Sequence, residues 1–301
     1  MGERRDRGFA LLVVVWVLAL MAVLAAGFAS DTRSEARQAR NLLRAAQAQA
    51  MAEAGITLAV VGLLDQDPAT QWPADGSLRS IVFDRGTILV TVQDEAGKIN
   101  LNGAPLDLVA GLLASRGIDE TVRALLLDAI ATRRRAVSES LPGAATIGPA
   151  REEGARLATA ANPPFRALDE IRSVPGVSGA VYQRIAPFLT VFSQTPRINP
   201  LTASREVLMS LPRVSAQEVE NLLATRAAFA AGQDPVVAPL LTGVDRYAGR
   251  TTFRAATITA QATTPDGATF ARSTVVALTG KPDRPYLLLD WRQVLAADER
   301  E

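Results

Sequence analysis

Cysteine and histidine are both absent from the 301 residues. Their absence removes disulfides, thiol nucleophiles, the usual zinc sites and every Ser-His or Cys-His catalytic pair. It does not assign a compartment, because an exported chain can do without disulfides and a cytosolic one without thiols. Lysine is nearly missing too, occurring only at Lys98 and Lys281, so arginine carries the rest of the positive charge. On solvated faces the two cations serve alike and differ mainly at bidentate sites. A net charge of +1 with 21% charged residues leaves the chain as a whole without an electrostatic footprint for nucleic acid. There is no glycine-rich phosphate loop and no Ser-x-x-Lys pair. The length supports at least one full core and leaves room for two domains.

What is present begins with FALLVVVWVLALMAVLAAGFA, residues 9–29, without a charge or a proline. A helix of that length rises about 30 Å, the hydrocarbon thickness of a bilayer, so the run is a membrane span by length. A cleaved secretory signal would be shorter and end in a small-x-small site, which Ala25, Gly27 and Ala29 imitate. Polar helix-formers continue past it without a break, however. Ala39, Leu42, Leu43, Ala46, Ala50 and Met51 recur at helical spacing, which predicts one amphipathic helix to about Leu64. Arg4, Arg5 and Arg7 precede the span and Arg33, Arg37, Arg40 and Arg44 follow it, so charge bias leaves the topology open.

Beyond the helix, LRSIVFDRGTILVTVQ (78–93) reads as a β-hairpin around Asp84-Arg85-Gly86. Strand character returns only near the end, in TTFRAATITAQA, a Pro265-Asp266-Gly267 turn, ATFARSTVVALT, a break at Gly280, and PYLLLDW. The simplest architecture is α+β: strands from both ends form one antiparallel sheet against the long helix, with a helical domain inserted between them. The insert repeats itself. Ile99, Asn100, Ala104, Asp107, Leu108, Val109 and Leu112 match Ile198, Asn199, Ala203, Glu206, Val207, Leu208 and Leu211, the pattern of a helix start. IRSVPGVS (171–178) matches LMSLPRVS (208–215), each a helix end, a Pro-containing turn and a new helix. Between the halves, LPGAATIGPAREEGARLATAANPPF (141–165) reads as a long loop.

Three polar clusters are candidates for chemistry. Asp94 and Glu95, with Lys98, are adjacent carboxylates before Gly97 and read as solvated turn charges rather than an acid–base set. Asp65, Asp67 and Asp75 flank a proline turn at uneven spacing that fits no EF-hand loop, so no metal ligand is assigned. Arg133, Arg134 and Arg135 read as cations closing a helix at its carboxyl end.

The leader MGERRDRG, the Gly8-Phe9 junction and the apolar helix that runs on as an amphipathic one resemble the class III signal of type IV pilins and type II pseudopilins. That resemblance implies cleavage after Gly8 by a prepilin peptidase, methylation of the Phe9 amine and filament packing through Phe9, Leu12, Val13, Trp16 and Leu20. It also implies a single-pass protein of the bacterial inner membrane, its amino terminus cytoplasmic and its bulk periplasmic. Most members carry glutamate where this chain has Val13, and the K-type pseudopilin of type II secretion is similar to this sequence in lacking it. The segment DEAGKINLN (94–102) and the helix, Pro-turn, helix units, which resemble SAM-like helix-hairpin-helix modules, extend the likeness over nearly the whole chain. The implied division is a leader 1–8, a span 9–29, a periplasmic helix and first strands 30–98, a helical insert 99–248 in halves 99–195 and 196–248, and completing strands 249–301. The implied role is the tip of the pseudopilus. Its partners would be minor pseudopilins of the I and J types, the prepilin peptidase, the inner-membrane platform and the membrane itself. No cofactor, metal, nucleic acid or chemistry of its own is expected. A competence-like minor pilin whose helix-hairpin-helix units touch DNA, and a membrane-anchored hydrolase, are the readings from other classes.

Overall fold

The first helix, α1, runs unbroken from Glu3 to Leu64. The computed structural model describes residues 3–67, 69–139, 164–228, 241 and 243–295, with α1 side chains described at 12–23, at 35 and from 37 onward. At 62 residues α1 is about 93 Å long. Among its described side chains those that pack lie in the last third: Ala48, Met51, Ala52, Ile56, Ala59, Val60 and Leu63 are buried at intervals of three and four residues. This corrects the expected apolar face. Of the positions singled out by spacing in the sequence only Met51 is buried, while Leu42 and Leu43 are 72% and 70% exposed, because the sheet begins to cover the helix only beyond them.

One antiparallel sheet has the order β1-β2-β5-β6-β7. It comprises β1 (Asp75–Phe83), β2 (Gly86–Asp94), β5 (Ala255–Thr263), β6 (Thr269–Lys281) and β7 (Arg284–Val294). The expected hairpin forms with Phe83 opposite Gly86, leaving Asp84 and Arg85 as a two-residue turn at φ 47° and 63°. That left-handed pair follows the twist of the strands it joins. Gly86 is needed for a different reason than the turn. A Cβ there would stand 2.5 Å from both Met51 Cε and the Thr263 carbonyl oxygen, so the residue lets α1 and β5 close over the strand. The two strand groups do share one sheet, since β2 pairs β5 from Thr87↔Thr263 to Asp94↔Ala256. Alternation in both strands sends Ile88, Val90, Val92, Ala256, Ile258, Ala260 and Ala262 toward α1, forming one apolar cluster with it. Gly55 permits the close approach, because a Cβ on it would lie 2.6 Å from Ile88 Cγ2.

Between β2 and β5 the described residues are largely helices and turns. It forms β3 (Ile99–Asn100), α2 (Leu106–Ser115), α3 (Glu120–Glu139), α4 (Gly179–Ile185), β4 (Leu189–Thr190), α5 (Arg205–Met209) and α6 (Ala216–Ala228). Its buried side chains, from Ile99 to Ala248, make a second cluster distinct from the one under α1. All the matched apolar positions of the two Ile-Asn repeats are buried in it. Three turns share one construction. Gly117, Gly176 and Arg213 take φ of 64°, 86° and 65°, and an aliphatic residue and a capping side chain follow each. Asp119 Oδ1 accepts from Thr121 N at 2.8 Å, Ser178 Oγ from Val181 N at 3.2 Å, and Ser215 Oγ from Glu218 N at 3.2 Å. The repeat in the sequence pairs the second and third of these turns but not the first, which has no proline. The expected loop at 141–165 lies, up to 163, outside the described residues.

Candidate functional site

Two regions bear on function: the exposed anchor of α1 and the junction where β2 passes into the helical section. Gly8 and Phe9 lie within α1, their side chains outside the described set. Leu12, Val13, Trp16 and Leu20 are between 43% and 70% exposed and follow three- and four-residue steps along one side of the helix. The stretch Arg37–Leu64 is also apolar and long enough to span a bilayer, but half of it is buried, and its buried side chains pack on the sheet. The uncharged run upstream, exposed from 12 to 23, is the better anchor.

At the junction the expectation of solvated charges fails. Asp94 and Glu95 are 1% and 2% exposed. A short 3-10 turn (Glu95–Gly97) folds them inward, with Asp94 Oδ1 accepting from Ala96 N at 2.9 Å. Glu95 pairs with Lys98 Nζ at 2.5 Å and accepts hydrogen bonds from the hydroxyls of Thr190 and Thr257, while Lys98 also donates to Thr257 Oγ1 at 2.7 Å. Asp94 Oδ2 accepts from Thr202 Oγ1 at 3.1 Å and from Asn199 Nδ2 at 3.5 Å. Burial pushes the Asp94 carboxyl above its ordinary range, against the pull of the Ala96, Thr202 and Asn199 donors. Every carboxylate oxygen here thus has an internal partner, which makes the cluster a clasp rather than an acid–base pair. It fastens both halves of the helical section to the sheet: Thr190 of the first half donates to Glu95, while in the second Asn199 N donates to Ala96 O at 2.7 Å and Thr202 O accepts from Gln93 Nε2 at 2.7 Å.

The two halves are built alike beyond what the repeats predicted. Asn100 Oδ1 accepts from Asn102 N at 2.7 Å and Asn199 Oδ1 from Leu201 N at 3.1 Å, each closing a turn onto a helix. A parallel contact then ties the start of each half to its end, Ile99↔Leu189 in the first and Ile198↔Ala248 in the second. Each half also carries an arginine that reaches back to the carbonyls of its own entry turn. Arg134 gives Nε to Leu101 O at 2.8 Å and Nη1 to Ala104 O at 2.7 Å; Arg226 gives Nη1 to Ala203 O at 2.6 Å. Burial lowers the Arg134 pKa to about 10. The arginine run therefore does not close its helix, which continues to Glu139, and Arg133 instead pairs with Glu170 at 2.7 Å and lies over the Phe165 ring. Among the described residues no group of three or more Asp or Glu side chains is placed to hold a metal. Asp65 takes the Thr70 hydroxyl at 2.7 Å and the Asp67 N–H at 3.1 Å, which holds its carboxyl below the usual range.

No protein-family model matches the chain. The protein named Type II secretion system protein K of Klebsiella pneumoniae is 28% identical over 258 residues, covering 75% of this chain and 77% of the relative. Its namesake in Pseudomonas aeruginosa is 26% identical over 254 residues, covering 74% and 73%, and that of Aeromonas hydrophila 27% over 258 residues, covering 74% and 76%. The chain is similar to the K-type minor pseudopilins of type II secretion. A chain of the solved GspK-GspI-GspJ complex from enterotoxigenic Escherichia coli superposes with a TM-score of 0.49 at 17% identity, covering 88% of this chain and 99% of that one. The sequence marks Asp94, Glu95, Lys98 and Arg134 as charged but not as buried or bracing, and it does not mark Arg226 or the threonines of the clasp. Spacing does not mark the braces either, since Arg134 follows its Ile-Asn start by 35 residues and Arg226 by 28.

Proposed function

We propose that this chain is the terminal subunit of the periplasmic pseudopilus, joining the filament through α1 and covering its end with the helical section, without chemistry of its own. Val13 carries the reading. In the pilin class the glutamate at that position meets the amino-terminal ammonium of a neighbour inside the membrane, where an unpaired charge costs at least about 2.5–3.5 kcal/mol. A valine serves no such neighbour, so nothing docks beyond this subunit, while its own Phe9 ammonium is met by the glutamate of a subunit beneath it. The mature chain then begins at Phe9 with a methylated amine, its first residues in the membrane and its two cores in the periplasm. Minor pseudopilins of the I and J types are the partners, the prepilin peptidase and the inner-membrane platform the processing and assembly machinery.

Crosslinking from cysteines introduced at Leu12, Trp16 and Leu20 tests the position. Single crosslinks to other minor pseudopilins are expected; ladders of self-crosslinked chain along the filament shaft would overturn the tip reading. Mass analysis of the amino terminus tests processing independently, and an intact Met1 in cells with an active prepilin peptidase counts against it.

A further inference from the structure

Beside the clasp, the descending segment after β4 and the segment entering β5 enclose an open cleft of about 240 Å³. Three arginines line it, Arg197, Arg250 and Arg254, together with Thr251 and Phe192. Asp94 and Glu95 also border it, but both are almost wholly buried and their oxygens are taken up by the clasp. The exposed charged groups that line it are therefore cationic, among neutral polar ones such as Gln194 and Thr252. All three arginines are exposed, and Arg197 lies so close over the Gly249 backbone that a Cβ there would come within 3.0 Å of its Nη1. Among the described residues neither the Arg197 nor the Arg254 guanidinium has a hydrogen bond or ion pair, although the Arg197 backbone bonds the Thr195 hydroxyl. Thr251 Oγ1 is buried without a hydrogen-bond partner. An orphaned hydroxyl beside unengaged guanidinium forks is the donor set that receives an oxyanion.

Two features narrow its kind. The cleft is smaller than the roughly 300–1,000 Å³ usual for small-molecule sites, which suits one inserted side chain better than a metabolite. The buried Asp94 just below disfavours a dianion such as phosphate more than a singly charged carboxylate. We propose that this cleft receives an acidic side chain, Glu or Asp, from an extended segment of another protein. The recognition is separate from α1 and holds whichever position the subunit takes in the filament.

The test is fluorescence anisotropy on the detergent-solubilised full chain with a labelled Gly-Gly-Glu-Glu-Gly-Gly peptide, its Gln counterpart, and inorganic phosphate as competitor. Saturable binding of the Glu peptide is expected, at least about tenfold tighter than the Gln peptide, from one charged hydrogen-bond pair. The double substitution Arg197→Gln with Arg254→Gln should weaken it at least about tenfold. Thr251→Val should weaken it severalfold while leaving the unfolding midpoint unchanged or higher, since the hydroxyl has no partner to lose. Absence of saturable binding, equal binding of the Gln peptide, or full binding by the arginine double variant overturns the proposal. Phosphate displacing the peptide at concentrations below the peptide's own dissociation constant overturns the carboxylate assignment.

Discussion

At the scale of single residues, the informative side chains are polar ones that the fold has taken out of water. Arg134 donates to the carbonyls of Leu101 and Ala104 from a half-buried position. Arg134→Met keeps the apolar stem but orphans those acceptors, and each buried unsatisfied group costs about 1–3 kcal/mol. Urea denaturation should therefore show a loss of about 3 kcal/mol, with Arg135→Met, on the same helix but outside these bonds, as the near-neutral control. Asp94 makes a prediction of the opposite kind. Its pKa is raised on folding, so the folded chain holds that proton more tightly than the unfolded one. Stability from this group therefore falls as pH rises from the ordinary value of 3.8 through the raised one and is flat above it. Asp94→Asn retains an acceptor for Ala96 N and lacks the charge. Its unfolding free energy should decline less than that of the parent between about pH 4 and pH 7, measured by denaturant titration at each pH.

Elements are shaped here by close approach as much as by propensity. α1 lies against β2 and β5 because Gly55 has no Cβ to meet Ile88 and because alanines at 256, 260 and 262 keep the facing surface low. Gly55→Val introduces a branched side chain at that contact and should cost about 1–3 kcal/mol through overpacking, read from the thermal midpoint. The helical turns show the converse. Gly117 and Gly176 occupy the left-handed position in two of them, but Arg213 holds it in the third at φ 65°. An L-residue with a Cβ is strained there by about 1 kcal/mol, so Arg213→Gly should raise stability by up to that amount. A lowered midpoint would mean that the Arg213 side chain contributes more than its backbone costs.

For the whole molecule, two apolar clusters meet at a polar clasp rather than merging into one core. Glu95 and Lys98 form the buried ion pair at that seam. Removing one partner of such a pair leaves an uncompensated charge, typically at a cost of about 3–5 kcal/mol. Glu95→Leu is therefore expected to loosen the helical section from the sheet before either core melts. Hydrogen exchange should show it as lost protection at Ile99–Leu101 and Asn199–Ala203, with β5 and β6 still protected. Uniform loss of protection throughout the chain would instead mean that the two clusters unfold as one unit.

What the chain determined by itself is local. Three- and four-residue spacing marks a long helix, alternation marks β2 and β5, Asp84-Arg85 marks a tight turn, and the Ile-Asn repeats mark two like helix starts, because each depends on contacts within a few residues. Even there the spacing in α1 did not say which third of the helix the sheet would cover. Tertiary structure alone decided the fate of the charges. Asp94 and Glu95 look like any solvated pair beside a glycine; they are buried because Thr190, Thr202 and Thr257 arrive from 95 to 162 residues away to satisfy them. Desolvation is a property of everything that packs around a group, and the residues that pack around this one are distant in sequence.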